Sequence, residues 1–187
     1  MPEGLEVYVL SRVLLNLGIV CSNHGKHLLI KDPHTGNLFD MSFGLYGKIK
    51  VTNDLKITKV CIKGKPCGDA IYITTFQEAR DRLGIDWVGA TREQLLRVVK
   101  SWGHRKKKIS MLLVDQSQIA GIGKHWVDEI LRVAMIDATI KAHTLDFLNL
   151  TGVLVDALIK VRDTTIHVYM NSVPKDELKF VNEWFKQ

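Results

Sequence analysis

The chain has 187 residues, which suffices for one domain or two small ones, and for a hydrophobic core that needs no metal or disulfide. Its 26 lysines and arginines exceed its 20 aspartates and glutamates, and this moderate basic excess favours a polyanionic partner. Three cysteines do not form a disulfide framework or a zinc site, and no apolar run predicts a signal peptide or a membrane span.

The N-terminus offers an unusual nucleophile. The chain opens with the residues Met1-Pro2-Glu3-Gly4-Leu5-Glu6. Methionine before proline is normally removed, so Pro2 is expected to expose a secondary amine beside the carboxylate of Glu3. An α-amino group titrates near pH ~8, so about a tenth of it is neutral at pH 7. Such an amine can attack an aldehyde and form an iminium, although many proteins begin Met-Pro by chance.

The first part of the chain predicts a helix followed by a sheet. Residues 5–16 place apolar side chains at steps of three and four, which predicts an amphipathic helix with Glu6 in its first turn. From residue 19 to 75, short apolar runs alternate with glycine, proline, asparagine and aspartate, as in antiparallel hairpins. Residues 1–75 are therefore predicted to form a β-sandwich-like domain preceded by a helix.

The second part predicts a helical domain, so the fold class is α+β. Residues 76–90 have a mixed composition and are predicted to be a linker. Residues 91–187 have helical periodicity, which opens with the capping box Thr91-Arg92-Glu93-Gln94. Helices are predicted at 92–101, 106–117, 124–134 and 144–161, with a weaker one near 175–186.

Three blocks of sequence stand out together. They are the start Met1–Val7, the segment Gly25-Lys26-His27-Leu28-Leu29, and the stretch from Leu112 to Leu131, which includes Gly121-Ile122-Gly123. In this order they resemble the formamidopyrimidine/endonuclease VIII family of DNA glycosylases, and the third block is similar to that family's helix-two-turns-helix element. The resemblance implies a bifunctional DNA glycosylase and AP lyase of base excision repair that acts on damaged or abasic DNA.

The resemblance also implies four catalytic residues. Pro2 would attack C1′ of the deoxyribose and form a Schiff base, after which β-elimination cuts the strand. Glu3 would protonate the sugar ring oxygen and move protons during elimination, and Glu6 would support the sugar and the amine. Lys26 would hold the phosphate beside the damaged nucleotide while the base leaves the stack. The alternatives are helix N-terminal carboxylates for Glu3 and Glu6, and a solvated strand residue for Lys26.

Several further residues are predicted to contact DNA. Gly121 and Gly123 permit tight turns, and the amides of the helix that follows would bind a phosphate. Lys124 stands where the family normally has asparagine, and would contact phosphate as a point charge. Arg105 and Lys106 belong to a basic run just before the third block. The alternatives are a structural helix hairpin for the glycines and a solvated helix start for the basic run.

The loop at residues 43–47 is similar to the endonuclease VIII branch. Leu45 and Tyr46 would fill the gap that a flipped base leaves in the duplex, although both could instead belong to the core. This likeness favours oxidised pyrimidines as substrates. Unpaired bases need less energy to flip, so single-stranded DNA is included among the expected partners.

The chain also departs from the family's pattern. Residues 19–24 replace a much longer stretch before the glycine-lysine segment, and no cysteine quartet or late arginine indicates the family's C-terminal finger. Zinc and other cofactors are therefore not expected. We expect an intracellular monomer, in the nucleus or cytoplasm. Two rival interpretations are a non-catalytic nucleic-acid-binding protein, and a helix-hairpin module that binds RNA or protein.

Overall fold

A computed structural model describes residues 3–42, 47–61, 70–176 and 179–181 of the chain. Within these ranges the fold is α+β, as predicted. The helices are α1 (Gly4–Asn16), α2 (Phe76–Asp81), α3 (Arg92–Ser101), α4 (Ile109–Leu113), α5 (Lys124–Ala134) and α6 (Thr151–Ser172). The strands are β1 (Cys21–His24), β2 (His27–Lys31), β3 (Leu38–Ser42), β4 (Gly47–Val51), β5 (Ile57–Cys61), β6 (Ala70–Ile73), β7 (Ile85–Asp86) and β8 (Ile119–Ala120).

The N-terminal strands form an antiparallel sheet and a separate ribbon. The sheet has the strand order β1-β2-β3-β6, and β4 pairs with β5 in the ribbon. Strands β1 and β2 pair up to His24 and His27, so Gly25 and Lys26 alone form the turn between them. Gly25 has a φ of +58°, a backbone conformation that glycine adopts at little cost. This tight turn brings Lys26 to the end of the hairpin.

Both faces of the four-stranded sheet are covered, because successive side chains of a strand point to opposite faces. On one face, Leu28 and Ile30 pack with α1 and with Ile49 of the ribbon. On the other face, Leu29 packs with Ala79 of α2. The sheet, the helix α1 and the ribbon therefore share one core, which anchors the first turn of α1 beside the sheet.

The stretch predicted as a linker contains regular structure. Thr75 caps α2, because its Oγ1 accepts the backbone N–H of Glu78 at 3.1 Å. Strand β7 pairs in parallel with β8, with Ile85 opposite Ile119. The stretch thus attaches the sheet to the turn segment that separates α4 from α5.

The second core lies among the helices α3, α5 and α6, and includes the buried Trp87, Trp102 and Trp126. The predicted helices 92–101 and 124–134 are confirmed. The prediction 106–117 is wrong at both ends, because Lys108 precedes α4 in an antiparallel bridge with Lys141 and the residues after Val114 form turns. None of the helices in the described ranges is both long and apolar enough to cross a membrane.

The predicted helix 144–161 is also placed wrongly. A short 3-10 helix (Ala142–Thr144) comes first, and Asn149 then has a φ of +56°, which interrupts helical backbone. Helix α6 begins only at Thr151 and continues to Ser172. The prediction near 175–186 falls largely outside the described residues.

Candidate active site

Three segments meet backbone to backbone at the candidate active site. The Gly4 N–H donates to the Gly121 carbonyl at 2.8 Å. A Cβ atom added to Gly4 would lie 2.6 Å from the Gly121 Cα, and one added to Gly25 would lie 2.8 Å from the Gly121 nitrogen. Such distances leave no room for a side chain. The start of α1, the β1–β2 turn and the segment before α5 are therefore in contact only because all three carry glycine.

Glu3 lies at the N-terminus of α5. Its side chain is buried, with 8% of the residue exposed, and its carboxylate rests against Gly123, where an added Cβ would overlap it. The backbone N–H of Trp126 donates to this carboxylate. Because unpaired amides make a helix N-terminus favourable for an anion, α5 holds the Glu3 carboxylate in place. Gly123 thus makes room for an acid rather than forming only a turn.

Burial makes Glu3 harder to ionise than an exposed glutamate. The pKa of Glu3 is raised, first because burial disfavours the charged form and then because Glu6 is near. The charges of Lys26 and His125 and the Trp126 amide act in the opposite direction. One carboxylate oxygen, Oε2, has no hydrogen-bond partner among the described residues. Glu3 therefore keeps its proton to higher pH than an exposed glutamate does, and has an atom available to donate it.

Glu6 connects the start of the chain to α6. Its Oε2 accepts the backbone N–H of Glu3 at 3.0 Å, and its Oε1 accepts the hydroxyl of Tyr169 at 3.3 Å. Burial raises the pKa of Tyr169 to about 12, with further contributions from Glu6 and Glu3. Tyr169 therefore stays protonated near neutral pH and donates. No sequence motif marks this tyrosine, which lies 163 positions from Glu6.

Lys26 lies near the two carboxylates. Burial lowers its pKa, while the charges of Glu3 and Glu6 act to raise it. The mutual electrostatic effects show that the structure brings Lys26, Glu3 and Glu6 together. The sequence predicted Lys26 on a strand, and this was wrong. It lies in the two-residue turn, because the strand pairing ends at His24 and His27.

The turn that carries Lys26 is held by Asp86 of β7. The Gly25 N–H donates to Asp86 Oδ1 at 3.0 Å, and the Asn23 side-chain amide donates to Asp86 Oδ2 at 3.4 Å. Burial raises the pKa of Asp86, although the Gly25 amide opposes the shift. Asp86 was missed by the sequence analysis because it falls within the stretch predicted as a linker.

Gln116 stiffens the segment that leads into α5. Its Nε2 donates to the carbonyls of Val114 and Ile122, both at 2.9 Å, and its Oε1 accepts the Gly121 N–H at 2.8 Å. One side chain thus satisfies three backbone groups of the turns. The third sequence block contains this glutamine, and the block was the one signal that could have drawn attention to it.

The remaining residues that the sequence predicted for the site do not all lie beside Glu3. Lys124 is exposed in the first turn of α5, at the edge of the site. Arg105 is half-buried and Lys106 is exposed, in the segment before α4, where the Arg105 carbonyl accepts the N–H of His143 at 3.1 Å. Pro2, Leu45 and Tyr46 lie outside the described residues.

Among the described residues, no group of three or more histidine, cysteine, aspartate or glutamate side chains could hold a metal ion. Cys21 is buried, and burial raises the pKa of its thiol to about 12. The groups that the structure brings together at the site include the carboxyl groups of Glu3 and Glu6, the amine of Lys26 and the phenol of Tyr169.

Comparison with known proteins identifies the fold. No family model and no curated protein matches the chain. Among solved structures, the MutM (Fpg) protein from Thermus thermophilus is 20% identical, with a TM-score of 0.67 over 95% of this chain and 80% of that chain. A Lactococcus lactis Fpg mutant in complex with tetrahydrofuran (THF)-containing DNA is 17% identical, with a TM-score of 0.71 over 97% and 84%. Fpg and MutM are aliases of formamido-pyrimidine DNA glycosylase. The chain has the fold of formamido-pyrimidine DNA glycosylase.

The likeness to Fpg extends over both parts of the chain. Lactococcus lactis Fpg in complex with abasic-site DNA is 18% identical, with a TM-score of 0.68 over 88% of this chain and 78% of that chain. At these identities the agreement concerns the fold. The likeness to Fpg agrees with the α+β architecture that the apolar periodicity of the chain predicted, including the order of helix, sheet and helical region.

Proposed function

We propose that the protein is a DNA glycosylase of base excision repair that also cuts abasic sites as an AP lyase. The observation that carries this proposal is the buried Glu3, whose raised pKa suits a general acid, beside Lys26 and Glu6 in an Fpg fold. A general acid works best when its pKa lies near the working pH, and burial is the usual way to raise a carboxyl pKa.

The nucleophile in this proposal is the amine of Pro2 after removal of Met1. Its nitrogen attacks C1′ of the damaged nucleotide, the bond between C1′ and the base breaks, and the base leaves with a proton. Glu3 gives its proton to the ring oxygen, the ring opens, and an iminium joins Pro2 to C1′. At a site that is already abasic, the amine adds to the C1′ aldehyde, the aldehyde oxygen takes the amine's proton and one from Glu3, and it leaves as water.

Strand cleavage follows from the iminium by β-elimination. A proton leaves C2′, the bond between C3′ and its oxygen breaks, and the 3′ phosphate departs. Glu3, now ionised, accepts a proton in this step. Water then hydrolyses the iminium and releases the amine. The Glu3 N–H belongs to the amide that follows Pro2, so Glu6 and Tyr169 support the backbone next to the nucleophile.

Lys26 binds the phosphate next to the target in this proposal. The Lys26 ammonium lies near two carboxylates. When Glu3 is protonated, only the Glu6 carboxylate can offset the Lys26 charge, so the ammonium binds a phosphate more strongly. The proposed substrates are oxidised pyrimidines and abasic sites, in duplex or single-stranded DNA. The sequence resemblance of the Leu45-Tyr46 loop supports the pyrimidines, and Lactococcus lactis Fpg of the same fold has been solved with oxidised-pyrimidine DNA.

The test is borohydride trapping of the iminium. Abasic-site DNA is incubated with chain whose intact mass confirms loss of Met1, and borohydride is added. We expect a covalent adduct from this chain and none from a variant with one glycine inserted before Pro2, which buries the amine in a peptide bond. Equal melting temperatures would show that the insertion leaves the fold intact. No adduct from the processed chain would overturn the enzyme proposal in favour of a non-catalytic nucleic-acid-binding protein.

A further inference from the structure

A buried carboxylate holds two basic side chains beside the turn that carries Lys26. Asp40 of β3 is only 4% exposed, and its two oxygens have different partners. His27 Nδ1 lies 2.7 Å from Asp40 Oδ1, and the Arg82 guanidinium donates to Asp40 Oδ2 at 2.7 Å. The side chains of His27 and Arg82 are 28% and 45% exposed. None of the three takes part in the proposed glycosylase and lyase steps.

The hydrogen bond to Asp40 fixes which nitrogen of His27 faces outward. An ionised carboxylate only accepts hydrogen bonds, so Nδ1 is the donor and carries a proton. The other ring nitrogen, Nε2, is not one of the buried atoms that lack a partner, and no described residue forms a hydrogen bond with it. Nε2 is therefore open to solvent.

The acids around His27 leave a positive charge on its ring without a full counter-ion. Arg82 already neutralises Asp40. The two acids of α2 are engaged by local hydrogen bonds, in the pairs Thr74–Glu78 and Gln77–Asp81. After the Thr74 hydrogen bonds, the charge of Arg82 also helps to lower the pKa of Glu78, so Arg82 lies near two acids.

The other charged groups near His27 are basic. Arg80 of α2 takes part in none of the ion pairs of the described residues, and it donates to the Ser22 hydroxyl of β1 at 2.9 Å. His24 stands opposite His27 in the strand pairing, and Lys26 precedes His27 in the chain. The tip of the β1–β2 hairpin therefore carries basic side chains on both sides of its turn.

We propose that His27, with both ring nitrogens protonated, binds a backbone phosphate of the DNA, next to the phosphate that Lys26 binds. This inference rests on the proposed function. Consecutive Cα atoms lie ~3.8 Å apart, so a DNA strand held at Lys26 also passes His27. In this form Nδ1 donates to Asp40 and Nε2 donates to a phosphate oxygen. Asp40 and Arg82 act as positioning residues, because they orient the ring without touching DNA.

DNA binding at His27 is linked to the uptake of a proton. A neutral ring with its proton on Nδ1 presents a lone pair at Nε2, which repels a phosphate oxygen. Histidine ordinarily changes charge between about pH 5 and 8, so the contact strengthens binding at about pH 6 and hardly at about pH 8. Glu3 and His24 also titrate in this part of the molecule. A substitution at His27 leaves both in place, so the comparison of variant and wild type at one pH isolates His27.

The first test is the substitution His27→Asn. The asparagine amide can take the place of Nδ1 and donate to Asp40, while nothing replaces Nε2 and no charge forms. The control is His34→Asn, which removes an exposed histidine beyond the other end of β2. Affinity for a duplex with a central abasic analogue is measured at fixed salt and at several pH values between about 6 and 8.

We expect H27N to bind about tenfold more weakly than the wild type and the control at about pH 6, because a hydrogen bond between charged groups is lost. Near pH 8 the three affinities should be about equal. A loss of the same size at every pH would overturn the proposal, because it would show that His27 only supports the fold. Equal affinities for H27N and H34N at about pH 6 would overturn it as well.

A second test needs only the wild type and identifies the phosphate. Each phosphate around the abasic analogue is replaced in turn by an uncharged methylphosphonate. One position should weaken binding and remove the part of the pH dependence that H27N also removes, and the affinity of H27N should not respond to that position. If no position affected the two proteins differently, the phosphate contact would be wrong.

Borohydride trapping by the wild type on saturating abasic DNA reports on the lyase separately from the contact at His27. An adduct without any phosphate that depends on His27 would overturn the contact and leave the lyase standing. A phosphate that depends on His27, without an adduct, would support the contact and overturn only the lyase.

Discussion

At the scale of single residues, the candidate site depends on a chain of hydrogen bonds that begins on α6. Tyr169 donates to Glu6, and Glu6 accepts the amide that follows Pro2. These hydrogen bonds hold the Glu3 backbone amide and do not engage the Glu3 carboxylate. In the proposed reaction, Tyr169 would therefore be a positioning residue that acts through the backbone and not through the substrate.

Substitution Tyr169→Phe tests this role. It keeps the ring and removes the hydroxyl, and a hydrogen bond to a charged acceptor contributes ~1.5–3 kcal/mol. The Tyr169–Glu6 distance is long at 3.3 Å, so we expect the lower end, a loss of roughly tenfold in the single-turnover rate of trapping. The affinity for abasic-analogue DNA should not change. Tyr72→Phe, on exposed β6, is the control, and equal rates in the two variants would contradict the role.

The sequence predicted part of this site and could not predict the rest. Glu3, Glu6 and Lys26 were named together because they lie in recognisable blocks. Tyr169 and Asp86 were not, because one lies on an ordinary helical stretch and the other in a stretch of mixed composition. Their roles arise only when the fold brings distant segments into contact.

At the scale of elements, the N-terminus of α5 is the decisive feature. The sequence predicted that its amides bind a DNA phosphate, and the Glu3 carboxylate lies against them in the structure. A phosphate contact by Gly121, Gly123 and Lys124 stays a prediction. A phosphate there would have to bind backbone amides that the Glu3 carboxylate does not occupy. The same arrangement makes α5 sensitive to the protonation of Glu3.

Stability should therefore depend on pH through Glu3. Its folded-state pKa lies above the unfolded value near 4.5, so between these two values the folded state binds more protons. The free energy of unfolding of the wild type, relative to Glu3→Gln, should fall as pH rises through this window. Urea unfolding of both proteins at several pH values between about 4 and 8 measures the difference.

Glu93→Gln is the matched control, because Glu93 also lies in the first turn of a helix but is exposed. Hydrogen bonds with its own backbone N–H and with Thr91 lower the pKa of Glu93. Its contribution to stability is therefore present above the unfolded pKa and is lost as pH falls, the opposite sign. If the Glu3 contribution to the free energy of unfolding instead fell as pH falls, as that of Glu93 does, burial would not be the main influence on the pKa of Glu3.

The ends of the helices were harder to predict than their existence, because apolar periodicity does not reveal pairing with distant parts of the chain. Helices α3 and α5 were predicted correctly because their apolar periodicity coincides with clear N-terminal signals, a capping box and a glycine. Helix α4 is shorter than predicted because Lys108 pairs with Lys141, a partner distant in sequence. Tertiary pairing overrides local helical preference there.

At the scale of the whole molecule, the sheet region and the helical region are joined at the candidate site itself. Gly4 bonds to Gly121, Gly25 packs on the same residue, and Asp86 holds the Gly25 amide. The residues that dock the two regions are thus neighbours of Glu3 and Lys26. Loss of docking should reduce stability and chemistry together.

Substitution Asp86→Ala tests this coupling. It leaves the Gly25 N–H without its acceptor, and an unsatisfied buried donor costs ~1–3 kcal/mol, so urea unfolding should show a loss of that size. The trapping rate should fall as well, because the turn that carries Lys26 loses its support. Asp86→Asn keeps an acceptor oxygen for the Gly25 N–H, so we expect this variant to recover most of the free energy of unfolding and most of the trapping rate.

The control for Asp86 is Asp81→Ala at the end of α2, whose carboxylate accepts only a local contact from Gln77 at 2.7 Å and is exposed. Surface substitutions of this kind change stability by about 0.5 kcal/mol or less. If Asp86→Ala unfolded like Asp81→Ala and trapped abasic DNA at the wild-type rate, the contact at Gly25 would be incidental. If stability fell while trapping stayed normal, docking would support the fold without positioning Lys26. Only a joint loss, recovered by asparagine, fits a molecule whose two regions are held together at the reacting groups.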